Sequence, residues 1–289
     1  MTNRIALGRE AMRSALQLRR SLSIAREDAV NVYDIASAIG VDVLFLDRPS
    51  LEGMFVKDPD PVVLLPSRQH RPRGRISFSC AHELGHFHLG HGTKVDEYIE
   101  GDSHSGPKSD EEFSADTFAS SLLLPRQAVL QRFAVRDYRP IEADPAVLFA
   151  IAGELDVGYS TLIKHMCYGL EIVTETWLAQ RQRSTPKFIR NQICGSADSK
   201  HLVVVGPEWP KVPVDLEVGD TIAVPAGTSI QHPDLLTAVK VTAAWQLFSA
   251  VSAGSGNMRI NGNSHVIRAA RTGYCGPLKY RFLDDPEVE

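Results

Sequence analysis

Five consecutive residues carry the densest chemistry in the chain: His82-Glu83-Leu84-Gly85-His86, an HExxH pattern. On a helix of about 3.6 residues per turn, positions 82 and 86 lie on one face, about 40° apart, so both imidazoles can reach a single metal ion. Zinc suits two imidazoles and a carboxylate with one position left open, and it lowers the pKa of a bound water toward about 7. Glu83, one step round the helix, would take that water's proton and pass it to a leaving amine. The bland alternative is an exposed helix with two solvated histidines. The setting favours the metal: apolar Ile76 and Phe78 lie just upstream, and the run continues as LGHFHLGH over residues 84–91.

A third ligand has to come from elsewhere. One class of zinc peptidases writes it as HExxHxxGxxH, which would need Gly at 89 and His at 92. The chain has Leu89 and Gly92 there, with Gly90 and His91 each one place out of register, so that class is rejected. The remaining source is a carboxylate on a later helix. Glu112 fits, twenty-six residues after His86 on EEFSADTFASSLLLP, with Asp116 one turn on and on the same side. Phe113, Phe118, Leu122 and Leu123 would anchor that helix in a core. Ser109-x-x-Glu112 also reads as a capping box, in which the Glu112 carboxylate turns back to the Ser109 backbone N–H. Spacing alone leaves both readings open. His88 and His91 fall ~200° and ~140° round from His86 on a continued helix, which makes them polar helix-end residues. Tyr98 and His104 occupy the polar loop before the Glu112 helix, from which either could reach over the metal and stabilise an oxyanion; a plain surface loop is the alternative.

The elements that must position these groups follow from pattern and punctuation. Residues 4–20 have apolar residues at helical spacing and a basic end. A second helix over 29–39 stops at Gly40, a residue suited to the position after a helix. VDVLFL (41–46) reads as a strand. Gly53–Val56 and Val62–Leu65 form a hairpin around Asp58-Pro59-Asp60. Helical pattern runs from Ile76 to about Leu89, and Ser109-Asp110-Glu111-Glu112 opens the next helix, which Pro125 ends. Asp144-Pro145 marks an independent helix start.

The run RGRISFSCAHELGHFHLGH followed by EEFSADTFASSLLLP resembles the ImmA/IrrE family of zinc-dependent peptidases. In that family an AHELGH helix precedes a helix of the form E-x-x-A-[DN]-x-F-A-x-x-L-L-x-P. Glu112, Ala115, Asp116, Phe118, Ala119, Leu122, Leu123 and Pro125 match it in place. The upstream segment VDVLFLDRPSLEGMFVKDPDPVVLLPS is similar as well. The resemblance is strong over 25–130 and weaker to about 175. It implies one zinc per chain held by His82, His86 and Glu112, with Glu83 as general base and Asp116 orienting a histidine. The position before Ala115, often acidic in the family, is Ser114 here. The substrate it implies is a protein, most plausibly a helix-turn-helix transcriptional repressor, cleaved in response to a stress or phage-related signal. The competing reading is a DNA-binding transcriptional regulator that retains a structural metal site. Glu83 argues against it, because a structural zinc needs no base beside it. A peptidase of small peptides is a third, weaker reading.

At 289 residues the chain suits two or three modules. The expected fold class is α+β: a zincin-like helical peptidase domain with a small sheet (1–135), a helix-turn-helix-like segment (136–180), and a separate α+β or mostly β sensor-like domain (188–289) beyond a polar break at 181–187. The middle segment offers only Lys164 and His165 on its second helix, thin chemistry for reading DNA, and suits packing or docking better. Within the last domain, LLTAVKVTAAWQLFSAV (235–251) is compatible with a helix or with strands. Lys+Arg 31 against Asp+Glu 35 gives a net charge of −4, which excludes a non-specific nucleic-acid coater. Arg181, Arg183, Lys187 and Arg190 could still form a local basic patch for a nucleic acid, and a small ligand on the last domain could be the activating partner. Hydrophobic residues at 43% support a substantial core. No apolar run approaches the ~18–20 residues of a membrane span, and residues 1–20 lack the apolar stretch of a secretory signal. The four cysteines have no CxxC spacing, as expected of reduced thiols in a cytoplasm. Cys80 and Cys167 read as core. Cys194 and Cys275, each followed by glycine, read as turn residues whose thiolates could pair, sense oxidant or occupy the open zinc position. A lid from 93–109, held by the last domain, is the other way such an enzyme would be kept silent.

Overall fold

A computed structural model describes residues 4–97, 109–195, 201–230, 234–242, 244–260 and 262–283. The chain divides into two compact units, one of Met1–Ala128 with Cys275–Leu278, the other of Val129–Tyr274 with Lys279–Glu289.

The first unit contains α1 (Arg4–Ser21), α2 (Val32–Ala38), β1 (Asp42–Leu46), β2 (Leu51–Val56), β3 (Val62–Pro66), α3 (Arg73–His88), β4 (Lys94–Glu97) and α4 (Asp110–Leu123). Asn31 starts α2 by accepting from the Tyr33 and Asp34 N–H groups. β1 pairs in parallel with β3, and β2 folds back antiparallel on β3 as the Asp58-Pro59-Asp60 turn leads one to expect. A two-residue strand from late in the chain, β13 (Gly276–Pro277), pairs antiparallel with β1, with Phe45 opposite Gly276. The sheet order is β13-β1-β3-β2-β4. Val43, Phe45, Val63 and Leu65 alternate inward and are buried, as the period of two in a half-covered sheet requires. Helix α3 packs against β2 and β3 and against α4, and α1 packs on α4.

Two devices, one steric and one polar, tighten this arrangement. A Cβ added at Gly85 would lie 3.1 Å from the Ala115 Cα, so the small pair Gly85–Ala115 lets α3 and α4 approach closely. That close approach brings the start of α4 within reach of the HExxH face. Arg19 is buried on α1 and donates to the carbonyls of Leu122 at 2.7 Å, Ala25 at 2.7 Å and Asp28 at 2.6 Å. It thereby satisfies an orphan carbonyl at the end of α4.

The second unit begins within α5 (Arg126–Ala134) and continues through α6 (Pro145–Glu154), α7 (Tyr159–Lys164) with a π-helical turn over His165–Gly169, α8 (Glu175–Gln182) and α9 (Pro186–Cys194). Asp144 caps α6 ahead of Pro145, accepting from the Ala146 and Val147 N–H groups. The chain bends by 102° between α6 and the α7 segment, within the range of a helix-turn-helix. The strands are β5 (Leu202–Val204), β6 (Val214–Glu217), β7 (Thr221–Pro225), β8 (Ser229–Ile230), β9 (Leu236–Val241), β10 (Trp245–Ala250), β11 (Gly254–Ile260) and β12 (Asn263–Ala270). They form two four-stranded sheets, β5-β7-β10-β9 and β6-β12-β11-β8. The ambiguous stretch 235–251 is the β9–β10 hairpin.

Where the sequence suggested a helix-turn-helix segment and a separate last domain, the packing joins them. Ala150 of α6 and Phe149 beside it share a core with Cys194, Leu202, Val204, Ala223 and Leu247. The polar stretch at 181–187 is a helix-to-helix turn, because Thr185 caps α9 by accepting from Phe188 N–H and Pro186 stands at its first position. Arg181 is also drawn into structure: its Nε donates to the Ala143 carbonyl at 3.0 Å and its guanidinium lies over Trp177. Cys194 is a correction. It is the last residue of α9, 2% exposed, and Gly195 at φ 62 is the left-handed residue that follows the helix. The thiol therefore faces the core and not a turn. Glu154 is buried beside Arg136, which grips it through both guanidinium Nη atoms, with Arg132 3.8 Å away. Among the described residues no single helix is long and apolar enough to cross a membrane.

Candidate metal centre

Helix α3 carries His82, Glu83 and His86, all buried. Ser109 caps helix α4, its Oγ accepting from the Glu112 N–H at 3.2 Å. Half of the anticipated capping box is therefore present, but the Glu112 carboxylate is directed to the histidines. Its Oε2 lies 3.1 Å from His82 Nε2 and its Oε1 3.5 Å from His86 Nε2. The two Nε2 atoms are 3.0 Å apart.

His82 Nδ1 meets the Asp116 carboxylate at 3.0 Å. An ionised carboxylate only accepts, so His82 keeps its proton on Nδ1 and presents a lone pair at Nε2. Two Nε2 atoms and a carboxylate oxygen then converge on one point, an arrangement that a single cation among them would satisfy. Donors bound tetrahedrally at about 2.0–2.1 Å stand about 3.3–3.4 Å apart, close to the separations found here. His82, His86 and Glu112 can thus hold a metal ion.

Glu83 is fully buried and abuts β2: a Cβ added at Gly53 would stand 2.4 Å from Glu83 Oε1. The absent side chain at 53 is what gives this carboxylate its place. Nearby on β2, Glu52 receives Arg75 through two nitrogens, at 2.5 Å and 3.0 Å, and Arg71 at 3.3 Å.

The histidines beyond the motif divide. His88 packs by Phe118, and burial lowers its pKa. His91, expected to be a polar helix-end residue pointing away, instead places its Nδ1 2.8 Å from His86 Nδ1. The helix ends before it, so a helical wheel does not apply. Tyr98 and His104, with most of the 93–109 loop, lie outside the described residues. Cys275 is exposed and directly precedes β13. Three strand spacings, about 14 Å, separate that edge of the sheet from β2, so the metal-facing role considered for this thiol has no geometric support. On the α7 segment Lys164 is exposed and the adjoining His165 is half-buried.

Residues 36–163 match the family model of peptidase M78, described as the IrrE N-terminal-like domain. That stretch, from within α2 to within α7, belongs to this metallopeptidase family, as the resemblance to ImmA/IrrE peptidases implied. No curated protein matches the chain.

Proposed function

We propose that this protein is a cytoplasmic zinc endopeptidase whose substrate is a protein, a helix-turn-helix repressor cleaved in response to a stress or phage-related signal. The observation that carries the reading is the convergence of His82, His86 and Glu112 donors beside the buried carboxylate of Glu83. A bound zinc would supply a Lewis acid for the scissile carbonyl and an acidified water. The rest of the chemistry falls to the chain. Glu83 takes a proton from the attacking water and delivers it to the leaving nitrogen. Asp116 holds the His82 ring in the tautomer that offers Nε2. Gly53 keeps β2 back from the base. The direct test is co-expression with small helix-turn-helix repressors, particularly one encoded beside this gene, scored for cleavage that a chelator stops.

Glu112→Gln separates ligand from cap. A neutral amide in place of an anionic donor should lower zinc affinity steeply, by at least about tenfold. Were Glu112 only a capping residue, Gln would serve nearly as well and cost at most about 1 kcal/mol of stability. Zinc content unchanged in the variant would put the third ligand elsewhere, with Asp116 the first alternative to test.

Gly53→Ala should leave zinc bound and cut proteolysis about a hundredfold, because displacing a reacting group by about 1 Å has that order of effect. Metal analysis beside a cleavage assay checks it. Wild-type turnover in Gly53→Ala would mean that the Glu83 carboxylate need not sit where it does.

A further inference from the structure

The end of α3 is a Schellman turn. Gly90 has φ +74, its N–H bonds to the Phe87 carbonyl at 3.2 Å, and the His91 N–H bonds to the His86 carbonyl at 2.9 Å. This is the paired 5→2 and 6→1 pattern that a left-handed glycine allows. It reverses the chain so that the residue after the glycine returns to the residue five places before it. At this helix end that residue is His86, one of the three metal-site donors. The side chains meet as well as the backbones: the two Nδ1 atoms are 2.8 Å apart, with ring centroids at 5.0 Å and planes at 62°.

Two facing ring nitrogens at that distance share one proton, and the metal site decides which ring carries it. His86 Nε2 faces His82 Nε2 and Glu112, so it must offer a lone pair. Its proton then resides on Nδ1 and is donated to His91 Nδ1, leaving His91 protonated at Nε2. We propose that His91 is a positioning residue that fixes the tautomer and ring orientation of His86, as Asp116 does for His82. The inference rests on the reading of His82, His86 and Glu112 as a metal centre. The two donors differ in their supports, one an anionic carboxylate and the other a neutral imidazole. The helix-ending motif thus does two jobs at one residue: it closes the last turn of α3, and it supplies the outer hydrogen bond of a ligand on that turn.

The experiment uses the full chain and zinc alone. Zinc affinity is measured by chelator competition for wild type, His82→Ala, His91→Ala, His91→Leu and His91→Asn, with apo-protein melting recorded for each. His91→Ala and His91→Leu should bind zinc about 10–100-fold more weakly with unchanged apo melting. His91→Asn, whose Oδ1 takes the place of Nδ1 as acceptor, should recover most of the loss. Wild-type affinity in the Ala and Leu variants overturns the proposal, and so does an Asn variant as weak as Leu, which would make the ring's bulk and not its hydrogen bond the cause. The nitrogen NMR signals of His86 in the zinc-loaded wild type give a readout that requires no variant. Nδ1 protonated and Nε2 unprotonated is expected, and the reverse tautomer sinks the idea. A wild type that takes up no more zinc than His82→Ala would defeat the metal reading itself, a result distinct from any of these.

Discussion

Glu83→Gln should retain a full complement of zinc and lose proteolysis by about 10²–10⁴-fold, the usual worth of a positioned general base. The substitution conserves shape in a fully buried position against Gly53, so the fold and the donor set around His82, His86 and Glu112 are left alone. What disappears is an atom that can hold the proton between the water and the leaving nitrogen. Metal analysis and a cleavage assay on the same preparation read the two halves separately. A variant that loses zinc along with activity would show that Glu83 supports the metal and would remove it from the proton-transfer role. A variant that still cleaves at the wild-type rate would do the same from the other side.

The second large effect is on stability and lies in the other unit. Burial is the main influence on Glu154 and pushes its carboxyl up to about 7, with Arg136 and then Arg132 pulling the other way. Because the folded value is raised, this group favours the folded state below about 4.5, where folded and unfolded forms are both protonated. The advantage is lost as pH rises through about 7. Arg136→Ala removes the bidentate partner and leaves a buried carboxylate with only the more distant Arg132 and a nearby Glu208, which opposes it. At pH 8 the variant should be less stable by about 3–5 kcal/mol in urea titrations, the order found when one member of a buried pair is deleted. At pH 5 the loss should be smaller, since the carboxyl can neutralise itself by keeping its proton. A loss that is equal at the two pH values would mean that Arg136 contributes packing and not charge.

Much of the site was legible because its signals are periodic. Two histidines four apart define one helix face whatever surrounds them, and Glu112 stood out as the carboxylate opening the next helix. Its two meanings were separable only in three dimensions: the Ser109 hydroxyl caps the backbone while the carboxylate faces the histidines, so cap and donor coexist. His91 was misjudged because the helical wheel was carried past Gly90. The glycine was itself the missing signal, since a left-handed residue there sends the next one back toward His86. Cys194 failed for a related reason: the glycine after it marks a helix end, and the residue before such a glycine still belongs to the last helical turn. Valine-rich 235–251 stayed ambiguous because its partners are other strands of the same region, and pairing is not a local property. Joining α6 to the sheets, through Ala150 and Leu247, likewise depends on contacts remote in sequence.

The placement of β13 has a bearing on biosynthesis. A ribosome that has finished residue 128 has made every element of the first unit except the strand at Gly276–Pro277. At about 5–20 residues per second, the remaining stretch takes several seconds or more to emerge. Through that interval the outer edge of β1, including Leu44 and Phe45, has no strand to pair with, and bare edges recruit other chains. The finished sheet therefore depends on synthesis of the chain through residue 277. Shortening the chain at residue 187 would remove more than the later strands: it would strip the border from the sheet on which α3 lies.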